Sequence, residues 1–89
     1  MRLGTYAADK GDNIPSWVIL SEDNKCRFIF QVISYAPEGT FQVDGDELHL
    51  CFPEDNGCVF KIKGDKLIFQ SGESAEKFIE KGREFILEE

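Results

Sequence analysis

The chain holds one histidine, one methionine, one tryptophan and three prolines in 89 residues. A single imidazole excludes every site built from several histidines and leaves His49 as the only ring base for activating a nucleophile. Long apolar runs are missing too. The longest, Trp17 to Leu20 and Phe28 to Phe30, fall far short of the ~20 residues that carry a helix across a bilayer and are too short for a secretory core. No apolar stretch follows Met1, so a cytoplasmic location is expected. The three cysteines, 26, 51 and 58, are odd in number and follow no framework spacing. A secreted domain of this size would carry paired cysteines, so these read as buried small hydrophobes in a reducing compartment. Basic residues are scarce: Lys and Arg number 10 against 17 acids, a net charge of −7. They stand singly among acids, where a phosphate backbone or an anionic membrane would need them clustered. Neither nucleic acid nor membrane is therefore an expected partner, and the acidic surface suits solubility or a basic partner.

What is present is the composition of a folded protein, 42% hydrophobic and 30% charged, with room for one domain, residues 1–89, and one core. Eight phenylalanines stand out. Large rigid rings let a short chain fill an interior with few residues.

Two phrases set the architecture. In Thr40-Phe41-Gln42-Val43 and Leu48-His49-Leu50-Cys51-Phe52, apolar and polar residues alternate with period two. With Gly45-Asp46 as a two-residue type II′ turn, Val43 faces Leu48 and Phe41 faces Leu50. One face is then Phe41, Val43, Leu48, Leu50 and Phe52, and the other Thr40, Gln42, His49 and Cys51. The same operation at Gly64-Asp65 sets Ile62 opposite Leu67 and Phe60 opposite Phe69, with Lys61, Lys63 and Lys66 outside. A slip of one residue would send all these apolar groups to water. An earlier pair, Trp17 to Leu20 and Cys26 to Ile33, flanks the polar loop Ser21 to Lys25. Val18, Leu20, Cys26, Phe28, Phe30 and Val32 form its inner set, but it is apolar outside as well: Trp17, Ile19, Ile29, Ile33 and, beyond it, Tyr35. Either the tail, through Phe78 and Ile79, covers that stripe, or a partner does. Residues 74–81 read as a short helix with Ser74 as N-cap, or as a strand turning at Glu80-Lys81-Gly82; Arg83 to Leu87 is a strand in both.

About eight short antiparallel strands in sequence predict an all-β, up-and-down meander closing into a small barrel, which removes both sheet edges. Gly4-Thr5-Tyr6 at its start resembles the G-x-W of lipocalins and the G-T-W of fatty-acid-binding proteins, with Tyr for Trp. The run Gly39-Thr40-Phe41-x-Val43-x-Gly45-Asp46-x-Leu48-x-Leu50 is similar to a hairpin in small bacterial lipocalin-like (calycin-type) domains of uncharacterised function. The resemblance covers most of the chain in pattern and about fifteen residues in letters. It implies a closed barrel in which Arg83, on the last strand, packs over Tyr6 beside Gly4. The chain is much shorter than a typical lipocalin, and the registers aim six rings inward: Phe28, Phe30, Phe41, Phe52, Phe60 and Phe69. A filled interior is expected, with function on the outer surface or in loops.

No catalytic, cofactor or metal motif stands above background. His49 and Cys51 share a face but stand ~7 Å apart along the strand, too far for a nucleophile–base pair. Cys58 faces inward unless the register breaks in residues 53–57, so the three do not converge on a metal, and opposed Cβ vectors argue against a Cys51–Cys58 disulfide. The carboxylates Asp44, Asp46, Glu47, Glu54 and Asp55 cluster in turns, where acids serve backbone hydrogen bonding and solubility. The expected function is a non-enzymatic interaction module, binding a protein partner or a second copy through the outer stripe, with no cofactor. A carrier of a small apolar ligand is the alternative, and an enzyme on the barrel rim a further one.

Overall fold

The computed structural model describes residues 2–8, 16–30, 38–53, 55–72, 75–77 and 79–88, with residues 30, 55 and 56 described by backbone alone. Eight strands run β1 (Gly4–Ala8), β2 (Ser16–Ser21), β3 (Lys25–Phe30), β4 (Glu38–Asp44), β5 (Glu47–Phe52), β6 (Asp55–Lys63), β7 (Lys66–Ser71) and β8 (Glu84–Leu87). Each pairs antiparallel with the next, and β8 returns to β1 through Tyr6↔Leu87 and Ala7↔Ile86, so the sheet is a closed barrel. This is the expected all-β meander.

Both glycine-led hairpins take the register that alternation demands: Phe41↔Leu50 and Val43↔Leu48, then Phe60↔Phe69 and Ile62↔Leu67. Gly45 and Gly64 sit at φ +63° and +62°, while the aspartates that follow them keep negative φ. That sign pattern belongs to a type II′ turn, whose twist matches the strands it joins. The β2–β3 connection turns instead through Asp23 and Asn24, both left-handed at φ +64° and +58°, the residue types that tolerate this region best after glycine.

Inside, four phenylalanines form one tilted and edge-to-face cluster. Phe60 lies 5.8 Å from Phe28, 5.5 Å from Phe69 and 5.3 Å from Phe85, centroid to centroid, and Phe28 lies 5.9 Å from Phe85. Such pairs contribute about 0.5–1.5 kcal/mol each beyond area burial. Val18, Leu20, Leu48, Leu50 and Leu67 close around them, with Tyr6 fully buried at the β1–β8 seam.

Three expectations shift. Val43 points to water, half exposed. β3 begins at Lys25 opposite Thr40, so residues 41–44 overhang it and Val43 has a strand on one side only. Phe52 and Ile62 are half-buried and pack against the core rather than inside it. The tail forms a lone 3-10 turn, Ala75–Lys77, between β7 and β8, too short to propagate as a helix; Ala75 and Ile79 are buried with the core cluster. The inward placement of Phe30 and Val32 and the roles given to Ser74 and Phe78 lie outside the described residues.

Candidate functional site

The outer face of β1, β2, β3 and β8 carries the stripe. Inward residues alternate with outward ones along β2, so Trp17 and Ile19 face out, both half-buried. Ile29, half-buried on β3, is Trp17's register partner, and Ile19 is that of Arg27. Ile33 and Tyr35 lie outside the described residues. On its other side Trp17 meets Ala7, and Ala7 meets Ile86. One row thus crosses four strands: Ile29, Trp17, Ala7, Ile86. Ala7 is only 7% exposed although it faces outward, whereas Ile86 is 38% exposed. The small residue thus sits low between its two large neighbours. Ala7 and Ile86 escape a sequence reading because the β8–β1 register joins residues far apart in the chain with no turn to fix it. The alternation Glu84-Phe85-Ile86-Leu87-Glu88 was the only available sign.

The stripe is edged with charge. Arg27 pairs with Glu38 on β4, and Lys66 with Glu84 at 3.5 Å, all of them substantially exposed. A cleft of about 440 Å³ adjoins it along the paired stretch of β3 and β4, lined by Ile19, Lys25, Cys26, Arg27, Glu38 and Gly39 among others. The tail's Ile79 is buried in the interior cluster, so its side chain is engaged there and not over Trp17.

At the seam, the Tyr6 hydroxyl donates to the Arg2 carbonyl at 2.5 Å. Burial first, and the charge of Asp65 second, raise its pKa. Arg83 does reach the first strand, where its guanidinium donates to the Ala8 carbonyl at 2.7 Å. Gly4 stands at φ +139° against Leu87.

The remaining constellations stay apart. His49 is half-exposed on the outer face of β5 with Nε2 3.2 Å from Glu47 Oε1. Cys51 is exposed beside it. The register does break between Leu50 and Phe52, yet Cys58 remains inward and buried, paired with Leu50. Ser71 shares a row with His49, but Val59 stands between them. A shallow cleft of about 390 Å³ runs over this region. Among the described residues no group of three or more His, Cys, Asp or Glu side chains is placed to hold a metal ion. Of the turn acids, Glu47 reaches His49 and Asp46 lies 3.9 Å from Lys61. Inside the barrel, Ser16 is the only buried residue of polar type among those described, and no buried side-chain polar atom there lacks a partner. An interior binding site would need convergent polar groups of that kind.

No helix among the described residues is long and apolar enough to cross a membrane. Comparisons with protein-family models, with curated proteins and with solved structures find no match to this chain.

Proposed function

We propose that this barrel is a protein-binding module whose working surface is the outer face of β1, β2, β3 and β8. The supporting observation is the row Ile29–Trp17–Ala7–Ile86. Single apolar side chains at a surface are ordinary, but four in register with a tryptophan at the centre and charged residues at the edge have the composition of an interface core and rim. The ring cluster inside favours this face over carriage of an apolar ligand. A lipocalin-like kinship is proposed beside it, supported by Gly4 and the fully buried Tyr6 at the closure seam. A cytoplasmic setting fits three free thiols.

The test is Ile29→Asp. It places a carboxylate beside Trp17 on a half-exposed site, so the fold should survive, with a thermal midpoint within a few degrees of the parent. Association, read by elution volume and by chemical cross-linking with mass identification of the adduct, should be lost. Unchanged elution together with unchanged adducts would refute the reading.

A further inference from the structure

Taking that docking face as given, we propose that its occupant is a second copy of this chain, packed about a two-fold axis that runs along the strands between β1 and β2. The outward residues form two parallel rows. The first is Ile29–Trp17–Ala7–Ile86. The second is Arg27–Ile19–Thr5–Glu88, its last step made by the Glu88 N–H donating to the Thr5 carbonyl at 2.8 Å. The first row is uneven at its centre and the second differs from one end to the other. The β3 end carries cations, Lys25 and Arg27; the β8 end carries anions, Glu84 and Glu88. On the central strands Trp17 is bulky and Ala7 small.

A two-fold axis in the contact plane and parallel to the strands keeps each row at its own level and reverses its order in the second copy. Trp17 of one copy then meets Ala7 of the other, and Ile19 meets Thr5. Ile29 is turned toward Ile86, and Arg27 toward Glu88. Every pairing sets large against small, apolar against apolar, or cation against anion, and it does so twice because the contact is isologous. An axis across the strands would instead lay β3 against β3 and bring Lys25 and Arg27 toward their own copies.

Curvature makes the assignment more specific. A closed barrel falls away on both sides of its line of contact, so β1 and β2 approach most closely. Arg27 and Glu88, at the flanks beside Ile29 and Ile86, are long enough to bridge the widening gap. The Arg27–Glu38 pair is exposed, 45% and 68% at the two side chains. Such pairs contribute little, and a guanidinium with five donors can serve Glu38 and a carboxylate of the second copy together.

Sedimentation equilibrium over a concentration series of the full chain tests this. The parent should show a monomer–dimer equilibrium. Arg27→Glu and Glu88→Lys should each weaken it about tenfold, since each breaks two exposed pairs and sets like charges together. The double variant Arg27→Glu/Glu88→Lys should return to within about threefold of the parent, because the swapped charges again face their opposites. Trp17→Ala should weaken the dimer about a hundredfold or more, as loss of a central tryptophan does. Glu88→Lys lies outside the core, so its unchanged thermal midpoint separates loss of contact from loss of fold. A parent that stays monomeric up to about millimolar concentration overturns the second copy as occupant, while the Ile29→Asp experiment still decides the docking face. A dimer indifferent to Trp17→Ala overturns both, because the copies then meet elsewhere. A dimer that needs Trp17 but is not restored by the charge swap overturns the axis.

Discussion

Cys26 shows at the scale of one side chain what the interior imposes. Its thiol is buried, donating to the Thr40 carbonyl at 3.5 Å, and its pKa is pushed from 9.0 to about 11 by burial first and by Cys51 second, against a backbone hydrogen bond from Gly39. Two consequences follow. At neutral pH an alkylating reagent should modify exposed Cys51 first, with buried Cys26 and Cys58 lagging until the chain opens; mass spectrometry of a time course reads the order, and early labelling of Cys26 would contradict its placement. The folded state also holds the Cys26 proton more tightly than the unfolded chain does. Its contribution to stability is therefore whole below about pH 9 and is lost as pH climbs toward 11. Urea midpoints should fall across that window, and Cys26→Ser should flatten the decline. At this scale the inward residues were readable from sequence wherever a strand alternated cleanly: Val18, Leu20, Cys26, Phe28, Leu48, Leu50, Phe60, Leu67 and Phe69 are all buried as expected. Val43 was misplaced because alternation gives the face a side chain takes but not where the neighbouring strand stops.

Among the elements, the hairpins and the bulge obey different rules. Gly45 takes a positive φ with open space around it, so Gly45→Ala meets conformational strain alone, about 1–3 kcal/mol. Gly57 has φ +79° and sits where the β5–β6 register shifts; a Cβ there would strike the Leu50 carbonyl oxygen of the paired strand. Gly57→Ala must break ladder contacts as well as adopt a strained φ, so urea unfolding should show it clearly more destabilised than Gly45→Ala. Equal losses would mean that the close approach relaxes. The hairpins were legible because a two-residue turn and the alternation on either side of it are local facts. The bulge was not, because it depends on where two backbones touch. The tail was not either: residues 74–81 lack the length or the pattern to choose, and the lone 3-10 turn that forms leaves Ile79 buried in the interior.

Among the described residues the barrel gathers four rings inside and carries an apolar row across the outer face of β3, β2, β1 and β8. Closure was expected from the strand count, and the resemblance set Gly4, Tyr6 and Arg83 at the seam. The register of β1 with β8 and the full burial of Phe85 emerge only when the ends meet. That same seam completes the candidate site. Trp17, Ile19 and Ile29 stand out as an outer stripe from sequence, while Ala7 and Ile86, which carry the stripe across the seam, required the fold. The central claim is that the interior is occupied by the protein's own rings and that binding belongs to the outside. Methyl NMR spectra recorded through a dilution series, with the isoleucine and leucine methyls assigned, test both halves at once. The account predicts that the methyls of Ile19, Ile29 and Ile86 shift with protein concentration while those of Leu20, Leu48, Leu50 and Leu67 stay fixed, and that a saturating apolar probe leaves the inner set fixed too. Saturable movement of the inner leucines on adding that probe, with the three outer isoleucines indifferent to concentration, would contradict it.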